Sequence, residues 1–176
     1  IVEPNKGMIR KQQKKLEKYL QFGFEIVWRS LEELEDRSFN GVILANEVLD
    51  ALPVERIINS KGKLYRQGVS IDKESGRLFS KEIAITNELK KSIAFAQEKL
   101  DINIPPKDAP EGWTTEWHID NKKWLKAIYA KINNGILLII DYAKEAKRYY
   151  SLSHSNGTLI SYQNQKIVEN GFESPG

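Results

Sequence analysis

The sequence has 176 residues, 40% hydrophobic and 29% charged, with two histidines and no cysteine. That composition fits one globular domain, or a large piece of one, with enough aliphatic residues for a core. The lack of cysteine excludes disulfides, thiolate metal sites and cysteine nucleophiles, and two histidines leave no conventional multi-histidine centre, so no metal is expected. A net charge of +3, from 27 basic and 24 acidic residues, is not a nucleic-acid footprint, which needs positive charge gathered on one face. The short basic runs Lys11 to Lys18 and Lys144 to Arg148 read as solvated helix faces. No apolar run approaches the ~20 residues of a membrane span.

Ile1-Val2 reads as the tail of a buried strand, and both ends read as cut from a longer polypeptide. From Pro4 to Phe22 the spacing predicts a helix, with Met8, Ile9, Leu16, Tyr19 and Leu20 on one face and Gly23 as its stop. Phe24 to Trp28 is a predicted short strand. Ser30 and Glu33 have capping-box spacing for a brief helix. Gly41 to Ala45 is a continuous apolar run, as in a parallel strand buried on both faces. Strand, helix, strand, short helix, strand predicts an α/β fold with a parallel sheet.

After Pro53 the pattern changes. Val54 to Asn59, Lys63 to Ile71 and Arg77 to Ile85 read as an antiparallel insertion, with turns at Lys61-Gly62 and Glu74-Ser75-Gly76. Thr86 opens a helix to about Leu100, and the three prolines between Ile104 and Gly112 mark a loop. Asp120 is the predicted cap of a helix over Asn121 to Ile132, which Asn133-Asn134-Gly135 ends. Gly135 to Tyr142 is a second buried strand, and Asn156 to Gln163 a strand or ordered loop. The expected division is a core over residues 1–53, an insertion over 54–134, and a return to the core over 135–176.

Three acids, Glu3, Glu47 and Asp141, fall at the C-terminal ends of predicted parallel strands, the edge where open α/β sheets bind ligands. Glu3 could accept both hydroxyls of a ribose or simply stabilise a helix start. The stretch Ala45 to Pro53 runs from a buried strand into Asn46, Glu47 and Asp50, which is either a site or a capped turn. Ser30, Leu31 and Glu32 could face an adenine or only cap a helix. Asp141 and Tyr142 face either a cleft or loop amides. His118 and His154 read as surface residues, and Trp113, Trp117 and Trp124 as packing residues.

Ile1-Val2-Glu3-Pro4, Arg10, Gln12-Gln13, Asn46-Glu47-Val48-Leu49-Asp50-Ala51-Leu52-Pro53-Val54, Gly135 to Tyr142, Gly157-Thr158-Leu159 and Ser174-Pro175-Gly176 occur in an order that resembles the MidA-like methyltransferases. These are similar to the arginine methyltransferase that assists mitochondrial complex I assembly. The resemblance implies a Rossmann-like, seven-stranded class I methyltransferase sheet with S-adenosylmethionine at the strand C-termini. It implies that Glu3 holds the ribose, that Ser30, Leu31 and Glu32 lie near the adenine, and that Asn46 and Glu47 line the methyl-transfer cleft. It also implies that Asp50 sits on the substrate side of that cleft. For an arginine acceptor, Glu47 and Asp50 are the candidate catalytic clamp, with Asp141 and Tyr142 as substrate-side candidates. The glycine-rich cofactor loop would precede Glu3, outside this sequence, and Ala143 departs from the family's usual glycine. The implied partner is a protein presenting an arginine side chain. A homodimer is allowed, and with no transit peptide in view the expected location is cytoplasmic (mitochondrial in a eukaryote). The alternatives are an inactive assembly protein that keeps the fold and, less favoured, a nicotinamide-dependent oxidoreductase.

Overall fold

The computed structural model describes residues 1–168 and 170–172; the Ser174-Pro175-Gly176 element lies outside them. The chain is a mixed α/β fold and divides into two compact units. The first is discontinuous, Ile1–Val48 with Lys122–Asp141, and the second comprises Leu49–Asn121 with Tyr142–Gly176.

In the first unit, α1 (Lys6–Leu20) starts after Asn5, whose side chain accepts the Met8 N–H at 3.0 Å. The helix therefore begins two residues later than the proline suggested, because Asn5 satisfies an orphan donor of the first turn. The predicted strand over Phe24 to Trp28 is reduced to a single parallel bridge between Val2 and Arg29.

β1 (Phe39–Asn46) and β6 (Ile132–Ile140) pair in parallel, in register from Asn40↔Asn134 to Asn46↔Ile140. Asn133, Asn134 and Gly135 therefore belong to the strand and do not end the preceding helix, α3 (Ile119–Lys131). Asp120 sits inside the first turn of α3 rather than capping it. Burial on both faces of β1 is not observed. Ala45 is buried, whereas Val42 and Leu44, with Ile136 and Leu138 opposite them, are exposed. Successive side chains leave a strand on opposite faces, so one face of this pair is covered and the other is open.

The second unit holds a four-stranded antiparallel sheet in the order β4 (Leu78–Ile83), β3 (Lys63–Ile71), β2 (Glu55–Ser60), β5 (Thr114–Trp117). The first three are the predicted insertion strands. The fourth, β5, was not foreseen and is buried at all four residues. Arg66 on β3 grips Glu55 on β2 through two contacts of 2.8 and 3.0 Å. α2 (Asn87–Leu100) is capped by Thr86, which accepts the Leu89 N–H at 3.2 Å. Leu89 and Ile93 bring its inner face onto Ile57, Ile102, Ile104, Trp113 and Trp117. Each of these large side chains contributes roughly 1.5–3 kcal/mol on burial. The unit closes with α4 (Ala146–Tyr149), a 3₁₀ turn (Leu152–His154), and a hairpin of β7 (Ser161–Gln163) and β8 (Lys166–Val168).

The β1–β6 ladder depends on a glycine pair. Gly41 and Gly135 are register partners, and a Cβ on Gly135 would collide with the Gly41 carbonyl. Backbone on both sides leaves no side chain that could swing away. Gly135→Ala is expected to lower stability by roughly 1–3 kcal/mol, read as a drop in the urea midpoint. An unchanged midpoint would show that the ladder does not need this close approach.

Candidate functional site

The structure brings Asn46, Glu47 and Asp141 to one end of the β1–β6 pair. Asn46 is the register partner of Ile140, and the Glu47 N–H donates to the Ile140 carbonyl at 2.8 Å. Asp141 follows directly, half-buried. Glu47 itself is exposed and has φ of 49°, the left-handed region. A non-glycine residue held there costs on the order of 1–3 kcal/mol, and such residues concentrate at functional sites.

Glu3 and Ser30 follow Val2 and Arg29, the two members of the other parallel bridge, and so leave the same end of that pair. The Glu3 carboxylate accepts the Asn5 N–H at 2.9 Å and the Gln12 side-chain amide at 3.2 Å. Gln12 is oriented from its other end, since its oxygen accepts the Trp28 indole N–H at 2.9 Å. Carboxylate, amide and indole thus form one chain of donors and acceptors that fixes how Glu3 is aimed. Each Glu3 oxygen keeps a further lone pair for another donor.

Ser30 and Glu33 make both hydrogen bonds of a capping box. The Ser30 N–H donates to the Glu33 carboxylate at 2.6 Å, and the Glu33 N–H donates to the Ser30 hydroxyl at 3.3 Å. They close a turn rather than the predicted helix. Within it, the Glu32 carboxyl is held below its ordinary range by a backbone N–H, then by the Ser30 hydroxyl, with a smaller pull from Lys131. Leu31 is half-buried beside it.

Asp50 and Tyr142 belong to the second unit. Asp50 is exposed in the turn before Pro53, and Tyr142 is 80% exposed. Among the described residues, no cluster of three or more His, Cys, Asp or Glu could hold a metal ion.

The second unit also contains a polar cluster that the sequence reading missed. Glu116 on β5 is 2% exposed. One of its oxygens accepts the Thr158 N–H at 2.7 Å, the Thr158 hydroxyl at 3.1 Å and the Tyr149 hydroxyl at 3.3 Å. Its other oxygen lies 3.3 Å from the Arg56 Nε, close enough for an ion pair but not aligned for a hydrogen bond. The Arg56 guanidinium instead donates to the Asn156 carbonyl at 3.0 Å. Gly157 must be glycine here, because its φ is +77° and a Cβ would overlap the Glu116 carboxylate. The Gly-Thr-Leu element is therefore a wrap around a buried acid.

His118 is not a surface residue. Its Nε2 lies 3.0 Å from the Tyr149 hydroxyl, while its Nδ1 is buried without a partner. An orphan acceptor costs less than an orphan N–H, which favours the neutral ring with its proton on Nε2. Burial pushes the Tyr149 hydroxyl up to about 12. The readable signal was Trp113-Thr114-Thr115-Glu116-Trp117, a run of β-branched and aromatic residues typical of a strand.

A family model described as "Putative S-adenosyl-L-methionine-dependent methyltransferase" matches residues 1–176. Two solved structures from Burkholderia thailandensis are similar. One, a "likely methyl transferase" bound to S-adenosyl-homocysteine, is 23% identical with a TM-score of 0.72, covering 94% of this chain and 39% of its own. The other, an uncharacterized protein of the same superfamily in its native form, is 26% identical with a TM-score of 0.73, covering 94% and 41%. The chain thus spans about two fifths of the length of these relatives. No curated protein matches it.

Two outcomes follow from the buried cluster. Glu116→Ala leaves Arg56 facing a void and is expected to cost about 3 kcal/mol, the lower figure for a broken buried pair because Arg56 is partly exposed. Denaturant titration checks it, and a loss under 1 kcal/mol would remove the acid from its central place. Burial holds the His118 imidazole below its ordinary value of 6.5, against an upward pull from Glu116. The folded state then binds this proton less readily than the unfolded chain. The His118 contribution is complete above about pH 6.5 and is lost as pH falls toward the depressed folded value. Melting profiles should show this acid loss, reduced in His118→Gln.

Proposed function

The chain belongs to the family of putative S-adenosyl-L-methionine-dependent methyltransferases, and on that premise we propose that it forms part of a Rossmann-like enzyme that methylates an arginine side chain of a protein. The observation that carries this reading is Glu47: a carboxylate at a parallel strand's C-terminal end, held in a left-handed backbone next to Asn46 and Asp141.

The residues at the two strand ends suit the cofactor. Glu3 is aimed by Gln12 and Asn5 and keeps lone pairs for a ribose diol. Ser30, Leu31 and Glu32 offer a turn with a stabilised negative charge for the adenosine side. Asn46 and Glu47 line the transfer cleft. When bound, S-adenosylmethionine supplies an electrophilic methyl group. The protein's task is then to present the acceptor nitrogen in line, and orientation is worth up to roughly 7–11 kcal/mol. A protonated guanidinium has five N–H donors and no acceptor. Glu47 and Asp50 would hold it by charge-assisted hydrogen bonds and draw positive charge away from the attacking nitrogen, and the N–H proton displaced as the methyl group arrives would pass to one of these two carboxylates. Asp141 and Tyr142 would stand on the substrate side, with the insertion over 54–134 contributing acceptor contacts.

The test uses the longest polypeptide that the gene encodes, with radiolabelled methyl transfer to arginine-containing protein and calorimetric titration with S-adenosylhomocysteine. Glu47→Gln and Asp50→Asn should each lower kcat by on the order of 100-fold and leave cofactor affinity within a few-fold. Full turnover in both variants would dismiss the clamp. No cofactor binding at all would move the protein to the inactive, assembly-type alternative.

A further inference from the structure

The end of α1 carries a surface that methyl transfer does not use. Helical spacing divides its side chains sharply. Ile9, Gln12 and Leu16 are half-buried on one side, and Arg10, Lys11, Lys14, Lys15 and Lys18 are exposed on the other. The helix holds six basic residues and one acid, Glu17. Directly after the last lysine comes an apolar tip. Tyr19 and Leu20 end the helix exposed, and Phe22 and Phe24 in the following turn are 76% and 62% exposed. The tip is ordered rather than splayed: Tyr19 and Phe24 pack edge to face at 6.5 Å, and the Lys18 ammonium lies 4.9 Å over the Tyr19 ring.

We propose that this end of the first unit docks on an anionic lipid surface. Phe22, Phe24 and Leu20 enter the boundary between headgroups and acyl chains, and Lys14, Lys15 and Lys18 meet the lipid phosphates. An exposed apolar patch rimmed by charge marks an interaction surface, and a basic helix face joined to an apolar tip matches the layering of a bilayer edge. A single-stranded nucleic acid would use the lysines and stack bases on the phenyl rings but gain nothing from Leu20, whereas a bilayer edge uses all three kinds of side chain. The docking is peripheral: among the described residues, no helix is long and apolar enough to cross a membrane.

Sedimentation with vesicles tests the idea. The longest polypeptide that the gene encodes should pellet with vesicles containing phosphatidylserine, stay in solution with phosphatidylcholine alone, and release as salt is raised. Phe22→Ser with Phe24→Ser should weaken partitioning on the order of tenfold or more. Lys14→Gln, Lys15→Gln and Lys18→Gln together should weaken it on the order of 100-fold. All five positions are exposed, and circular dichroism confirms that the variants fold. Absence of vesicle binding overturns the proposal, as does binding that ignores the phenylalanine changes. Binding to a single-stranded oligonucleotide without binding to vesicles would assign the surface to nucleic acid and likewise overturn it.

Discussion

A carboxylate taken out of water must be met by donors, and in the larger unit that demand organises three separate stretches of chain. Glu116 is supplied by Arg56 on β2, by Tyr149 on α4 and by Thr158 in the segment after it. Thr114, two residues before it, forms a parallel bridge with Asn156 on the outer edge of β5. The four-stranded sheet thereby gains a covered edge, and the stretch from Tyr149 to Thr158 gains an anchor. Burying a pair of this kind adds little stability relative to apolar packing, but losing one partner is costly. The cluster thus acts more as a specification of how the segment docks than as a source of free energy.

The smaller unit rests on a different constraint. Its parallel pair needs two glycines face to face, and beyond them the ladder continues unbroken to Asn46 and Ile140. Because strand ends in a parallel pair coincide, the same register that seats Ile43 opposite Leu137 also sets Glu47 beside Asp141. Glu47 leaves that edge in the left-handed region, at a φ of 49°. Packing, register and the proposed chemistry are three readings of one alignment.

The sequence was most legible where periodicity and turn chemistry agreed. Gly41 to Ala45 read as a strand because five apolar residues left no helical alternation, and Lys61-Gly62 marked a hairpin because the turn needs positive φ. The Ser30–Glu33 box was read correctly as a pair of hydrogen bonds but not as a turn, since capping chemistry does not require a helix to follow. Glu116 was illegible for a deeper reason. Its partners lie 60 residues upstream and more than 30 downstream, at Arg56 and at Tyr149 and Thr158, and no local pattern reports such distances. His118 failed likewise, because its burial depends on Tyr149. Glu3 and Glu47 were found as acids at strand ends; the Gln12 relay and the left-handed φ that qualify them are visible only in three dimensions.

The smaller unit is made from two stretches that enclose the greater part of the other one. β1 is complete by residue 46, yet its partner begins at Ile132. During synthesis, β1 must therefore wait while the antiparallel sheet and α2, which lie between Glu55 and Trp117, are made. The entropy of closing a loop grows only with the logarithm of its length, so an interior that is already compact lowers that cost modestly. A sheet that forms inside the loop thereby shortens the effective chain between two strands that cannot meet early.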